Sequence, residues 1–182
     1  MNQEVKMKPS YLKIAFLDRD GTLIKDYPDE KWREIKEPEF LEGSIEGLKE
    51  LKEIGYDFII ITNQYLINDG IISLNDYQQF TGKFLKKLKE ENIDILKIYF
   101  CPHNEKDHCH CKKPKPGMIE QAKKDFLIDM NNSIYIGDSQ VDYLLAKHFN
   151  LSFYGVNYNG DNVKSYRSIL DISKQIKKIQ NK

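Results

Sequence analysis

The sequence predicts an α/β fold: a parallel sheet of about five strands with helices on both faces. Two observations carry this reading. Short β-rich apolar runs alternate with helical stretches along the chain, the pattern of strand–helix–strand units whose strands are covered on both sides. The polar motifs gather directly after or before those runs, where ligands collect in such sheets.

The elements follow in order. Leu12 to Leu17 (LKIAFL) reads as a buried strand. Residues 44–54 read as a helix, with Ser44 before it as the cap, Ile45, Leu48 and Leu51 along one face and Gly55 after it. Tyr56 to Ile61 (YDFIII) is short, continuous and β-branched, which predicts a second strand. Ser73 and Asp76 form an S-x-x-D start for a helix running to about residue 91. Further strands are expected at Ile95–Phe100, Ser133–Ile136 and Ser152–Val156, and further helices near Pro116–Gly117, over 140–149 and over 166–179. Residues 25–42 and 101–116 are the two long irregular stretches, and loops of that length in a compact domain are often functional.

At 182 residues the chain is read as one domain spanning 1–182, able to bury a core without staples. Lys plus Arg equals Asp plus Glu, 28 of each, so there is no basic surplus to support a nucleic-acid binder. No apolar stretch approaches the length of about 18 residues that spans a bilayer, and MNQEVKMKPS does not read as a secretory signal. The expectation is a cytoplasmic protein, monomeric, without nucleic-acid or membrane partners, whose three cysteines are reduced or bind metal.

Asp18-Arg19-Asp20-Gly21-Thr22 follows the first strand directly. Of two carboxylates at i and i+2, one can attack as a nucleophile while the other handles protons. Acids so close are costly without a cation, which implies a metal. Taken alone, the motif is equally an Asp-Gly turn ending a strand. Thr62-Asn63 follows the second strand, where a hydroxyl and an amide suit phosphate oxygens; Lys112 and Lys113 precede the fourth strand, and Gly137-Asp138-Ser139-Gln140-Val141-Asp142 follows it.

Cys101-Pro102-His103 and Cys109-His110-Cys111 form C-x-H-x5-C-x-C. Cys101, His103, Cys109 and Cys111 satisfy a tetrahedral Zn²⁺ with no position left open, which is the pattern of a structural site. His108 and His110 compete as ligands, but the C-x-H spacing favours His103. His148 has no evident partner and reads as an ordinary histidine.

The motif order from Asp18 to Asp142 resembles the haloacid dehalogenase-like phosphatases over about residues 11–160. The resemblance implies a Rossmann-like fold, with Asp18 as nucleophile and Asp20 as the acid that protonates the leaving oxygen and then activates water. Mg²⁺ would be held by the Asp18 carboxylate, the Asp20 backbone carbonyl and Asp138. Thr62 and Asn63 would bind the transferring phosphoryl group, and Lys113 would neutralise charge. Asp142 would orient the metal site or serve only as a first-turn acid of its helix. Too few residues separate Leu23 from Thr62 for a large cap domain.

The cysteine–histidine loop, residues 101–116, resembles the zinc-containing branch that holds histidinol-phosphate phosphatases and D-glycero-D-manno-heptose 1,7-bisphosphate 7-phosphatases. Cys111-Lys112-Lys113-Pro114-Lys115-Pro116-Gly117-Met118 is similar to the heptose form, C-R-K-P-x-P-G-M. The implied partner is a small phosphorylated metabolite, a heptose bisphosphate ahead of histidinol phosphate, with Lys112 among the substrate-binding residues. Two departures bear on it. Tyr65-Leu66-Ile67-Asn68-Asp69-Gly70 stands where the heptose enzymes have S-G-I-x-R-G, so Asp69 replaces an arginine; Lys112 replaces another. The alternatives are a polynucleotide phosphatase, which would need a clustered basic groove, and a zinc-braced binding module without activity, against which the set Asp18, Asp20 and Asp138 argues.

Overall fold

The computed structural model describes residues 11–160 and 163–180; the MNQEVKMKPS segment lies outside them. Six strands form one wholly parallel sheet: β1 (Ile14–Leu17), β2 (Asp57–Asn63), β3 (Ile95–Cys101), β4 (Ile134–Gly137), β5 (Ser152–Val156) and β6 (Ser165–Tyr166), in the order β3-β2-β1-β4-β5-β6. The helices are α1 (Ser44–Glu53), α2 (Leu74–Glu90), α3 (Gly117–Asp125), α4 (Gln140–His148) and α5 (Ile169–Gln180).

Strand alternation divides the core in two. Ala15 and Leu17 face one way and join Phe58, Ile60 and Ile136 under α1, α2 and α5, through Leu48, Phe84 and Ile172. Ile14 and Phe16 face the other way with Ile59, Ile61 and Tyr135, under Ile119 and Ala122 of α3 and Leu145 of α4. Both faces of β1 are therefore fully buried, which is why its sequence reads as a continuous apolar run.

The structure differs from the sequence reading at element ends. A sixth strand, two residues long, extends the sheet at Ser165–Tyr166, and the last helix begins three residues later than expected. Thr62 and Asn63 belong to β2 itself, and Gly43, not Ser44, caps α1. The Ser73–Asp76 capping box forms as expected. Residues 25–42 contain a single short 3₁₀ turn, Asp29–Lys31.

Candidate active site

The register of the central strands assembles the site. Leu17 pairs with Ile60 of β2 on one side and Ile136 of β4 on the other, and the Asp18 N–H donates to the Ile136 carbonyl at 2.9 Å. Asp18 thus leaves β1 between the ends of its two neighbours, with Thr62 on one and Asp138 just beyond the other. Gly21 completes the turn in the left-handed region at φ +82°, and a Cβ there would fall 2.1 Å from Asp138 Oδ2. Only glycine admits both the dihedral and the approach of that carboxylate.

Asp18 is 6% exposed, and the Lys113 ammonium, 4% exposed, donates to it at 2.5 Å. The same nitrogen donates to Asp142 at 2.7 Å. Asp142 is fully buried and also accepts from the Tyr135 hydroxyl at 2.9 Å and from the Ser139 N–H at 3.2 Å. It is both a first-turn acid of α4 and the anchor for Lys113. Burial works against the Lys113 charge, but Asp142 and Asp18 overcome that and raise its pKa. Burial also pushes Asp18 well above the usual carboxylate range, with Asp142, Asp138 and Asp20 adding to the rise and Lys113 opposing it. Asp138 is pushed up to about 6, first by burial and then by Asp142.

These groups border a cavity of about 220 Å³ lined by Asp18, Asp20, Thr62, Asn63, Lys113 and Asp138. Asn63 spends its amide on the backbone of Lys113, accepting from its N–H at 2.9 Å and donating to its carbonyl at 3.3 Å. Asp26, Asp29, Trp32, Tyr65 and Leu66 supply the outer wall. The Tyr65 hydroxyl donates to Asp29 at 2.9 Å. Lys113 is the sole lysine or arginine among the lining residues.

Two expectations about charge change. Lys112 does not line the cavity: its ammonium pairs with Glu105 at 2.7 Å and lies 5.0 Å over the Tyr65 ring. Asp69 faces the cysteine loop and accepts from the Asn104 amide at 2.8 Å, so it does not confront a ligand in the cavity. Beside it the Asn68 amide donates to Asp107 at 2.9 Å. Segment 65–70 and loop 101–116 are thus clamped together.

Sequence reading missed Arg19 and Gln64. Arg19 is 1% exposed and grips both oxygens of Asp20, each at 2.9 Å. Gln64 donates to Asp20 at 2.7 Å and to Thr62 at 2.9 Å. Arg19 carried a readable signal: an arginine between two acids at the end of a buried strand has to find a partner. Gln64 gave none, being a neutral amide with no charge or spacing to mark it.

In the loop, Cys101, His103, Cys109 and Cys111 bring their ligand atoms within 4.8 Å of one another. Cys101 Sγ lies 3.0 Å from Cys111 Sγ and 3.5 Å from Cys109 Sγ, and His103 Nδ1 lies 3.2 Å from Cys111 Sγ. Bonds of about 2.0–2.3 Å to a tetrahedral Zn²⁺ require edges of about 3.5–3.8 Å, so small outward shifts suit the four atoms to that ion. Burial pushes the Cys101 thiol up, and a thiolate there needs a cation beside it. His110 instead pairs with Glu120 at 2.8 Å, and His108 is not part of the cluster. The donor set Asp18, Asp138 and Asp142 also converges within 4.8 Å; its hard oxygens suit Mg²⁺.

A sequence model described as polynucleotide kinase 3 phosphatase matches residues 13–159. The chain belongs to this family of haloacid dehalogenase-like phosphatases. D-glycero-alpha-D-manno-heptose-1,7-bisphosphate 7-phosphatase of Photorhabdus laumondii is 42% identical over 144 residues, covering 75% of this chain and 77% of the relative. The probable D-glycero-D-manno-heptose-1,7-bisphosphate 7-phosphatase of Thermoplasma acidophilum is 35% identical over 143 residues, covering 78% and 88%. Among solved structures, D,D-heptose 1,7-bisphosphate phosphatase from B. bronchiseptica, complexed with magnesium and phosphate, superimposes with a TM-score of 0.81 at 21% identity, covering 92% of this chain and 99% of that one. A putative phosphatase from Mesorhizobium loti gives 0.80 at 22% identity, covering 94% and 88%. The two structures speak to the fold. No helix among the described residues of this phosphatase is long and apolar enough to cross a membrane.

Proposed function

We propose that this phosphatase is a magnesium-dependent phosphomonoesterase acting through a phospho-aspartate on Asp18. Its substrate is a small sugar phosphate, D-glycero-D-manno-heptose 1,7-bisphosphate, cleaved at position 7. The observation that carries the chemistry is the buried ion pair of Asp18 and Lys113 at the floor of the cavity. The substrate rests on the names of the relatives. Asp18 attacks phosphorus in line; the bond to the sugar oxygen breaks, and Asp20 gives that oxygen its proton. Asp20 then takes a proton from water, which displaces phosphate from Asp18. Thr62 donates to a phosphoryl oxygen, and Lys113 offsets the charge that builds on Asp18 and phosphate. Asn63 acts here through Lys113, by holding its backbone.

Mg²⁺ would be held by Asp18, Asp138 and the Asp20 carbonyl, and supplies charge neutralisation of the phosphoryl oxygens. Zn²⁺ on Cys101, His103, Cys109 and Cys111 braces the loop that carries Lys113. Both ions, and reduced thiols in a cytoplasmic setting, belong to this reading, as does a monomer. A cavity of about 220 Å³ with Asp26 and Asp29 in its wall favours a small metabolite over a polynucleotide, whose phosphates those acids repel.

The experiment is phosphate release from the bisphosphate with and without Mg²⁺, for wild type and Asp18→Asn. An amide is nearly isosteric with the carboxylate but cannot attack phosphorus, so turnover should vanish with unfolding unchanged. A substantial residual rate in Asp18→Asn would refute the covalent route. Hydrolysis of other sugar phosphates but not this one would refute the substrate alone.

A further inference from the structure

We propose that Gln64 is a positioning residue that sets two catalytic groups at once, the proton-transfer group Asp20 and the phosphoryl-binding hydroxyl of Thr62, with buried Arg19 completing the setting from the other side of Asp20. The inference rests on the roles given to Asp20 and Thr62 above and adds what orients them. Gln64 is 3% exposed. Its own N–H is fixed at 2.7 Å to the Cys101 carbonyl at the end of β3, so its side chain departs from an anchored backbone.

The polarity of the contacts follows from the donor inventory. In its ionised state, which awaits the proton from water, Asp20 only accepts, and both its oxygens already take hydrogen bonds from Arg19, so the Gln64 side chain turns its nitrogen toward it. That nitrogen carries two hydrogens, and it has two partners: Asp20 Oδ2 at 2.7 Å and Thr62 Oγ1 at 2.9 Å. Thr62, 1% exposed, therefore accepts from Gln64 and keeps its own proton to donate. The cavity it lines is where a phosphoryl oxygen arrives. An acceptor at position 64 would instead draw the Thr62 proton away from the substrate.

Arg19 sets the other face. Its Nε reaches Asp20 Oδ1 and its Nη2 reaches Oδ2, each at 2.9 Å. The guanidinium lies 5.4 Å from each of the Tyr77 and Phe80 rings and 3.3 Å from the Thr81 hydroxyl. A planar fork wedged between aromatic rings has one orientation, and lysine cannot reproduce it. Between fork and amide, the Asp20 carboxylate has a fixed plane.

The test uses Gln64→Met, similar in size but without donors, and Gln64→Glu, the same shape with acceptors only. Each is assayed on the heptose bisphosphate, whose alkoxide leaves only if protonated, and on p-nitrophenyl phosphate, whose phenolate leaves unaided. Inhibition by inorganic phosphate reports Thr62. Acid–base assistance contributes about 100- to 10,000-fold when complete, so disorienting Asp20 should lower kcat/KM, which covers the steps through departure of the alcohol and not the shared hydrolysis of the phospho-aspartate, roughly 10- to 100-fold on the sugar and much less on the aryl ester. Phosphate affinity should fall several-fold in Gln64→Met and further in Gln64→Glu. In a Thr62→Val background, Gln64→Met should weaken phosphate binding no further. Equal losses of kcat/KM on both esters, or unchanged kinetics, would overturn the proposal. Asp20→Asn is the control. If it lowers kcat/KM far more on the sugar than on the aryl ester while the Gln64 variants lower both equally, the positioning role fails and the assignment of Asp20 stands; if it lowers kcat/KM on both esters alike, the assignment of Asp20 as the acid fails. Should Gln64→Met not fold, Gln64→Glu with full activity on both esters refutes the inference unaided.

Discussion

Asp138→Asn should make the metal-free protein more stable while removing its response to Mg²⁺. Asp138 lies beside Asp18 and Asp142, with the three carboxylates converging within 4.8 Å and one lysine bridging the other two. Its carboxyl is moved from an ordinary 3.8 to about 6. At 1.36 kcal/mol per tenfold, that disfavours the ionised form in the folded state by up to about 3 kcal/mol. Because the folded pKa is raised, the penalty is absent below the ordinary value and grows to its full size as pH climbs past 6. It stands at about 3 kcal/mol at pH 7.5 and at about half that at pH 5. Relaxation of the cluster and residual hydration reduce the measurable gain, and one kcal/mol moves Tm by roughly 2–4 °C in a chain of this size. The amide should therefore raise Tm at pH 7.5 by about 3–6 °C and at pH 5 by about half as much. Thermal melts in magnesium-free buffer decide it, with no chelator added, since a chelator would also strip the thiolate site. Millimolar Mg²⁺ should then raise the wild-type Tm and leave the variant unmoved. An unchanged or lower Tm for Asp138→Asn at pH 7.5, or a gain equal at both pH values, would refute the reasoning.

Gly21→Ala should abolish activity and Mg²⁺ binding, since the new Cβ would lie 2.1 Å from Asp138 Oδ2 at a positive φ; calorimetric titration that still shows wild-type Mg²⁺ affinity would contradict the geometry. Protein purified without added zinc should carry about one zinc per chain, and Cys109→Ser should lower Tm and raise protease cleavage of segment 65–70 through the clamp at Asn68 and Asp69; a metal-free protein with a normal Tm would sink this. With Lys113 the sole lysine or arginine lining the cavity, kcat/KM should favour the 1,7-bisphosphate over the heptose 7-monophosphate by less than about tenfold, and a preference of several hundredfold would show that Lys112 or another cation swings in.

The central strands β1, β2 and β4 were legible because each is a short apolar run buried on both faces, and the motifs because they sit at strand ends. Ser165–Tyr166 was not legible: two residues carry no period, and their pairing is decided by Gly155 and Val156 of β5. The acids Asp18, Asp20 and Asp138 could be picked out as chemistry from their spacing, while the part of the Arg19 setting made by Thr81, Tyr77 and Phe80 is tertiary and left no mark in the sequence. Asp69 and Lys112 show the same limit. Each reads as a charge offered to a ligand, yet Asn104 and Glu105 engage them across a loop contact that only the fold creates. Asp26, Asp29 and Trp32 were hidden in an irregular stretch that periodicity does not address.

The parallel ladder through β2, β1 and β4 acts as a ruler. Neighbouring strands lie about 4.8 Å apart, and the pairing of Leu17 with Ile60 and Ile136 fixes their phase. The distances among the groups that meet phosphorus are therefore set by backbone spacing, which no single side-chain replacement can stretch. The outer wall, made by residues 26–32 and 65–66, hangs from loops that the ladder does not measure. Such a molecule can drift in what it admits while keeping unchanged the frame in which bonds are broken, so new specificities can arise here without the chemistry having to be reinvented.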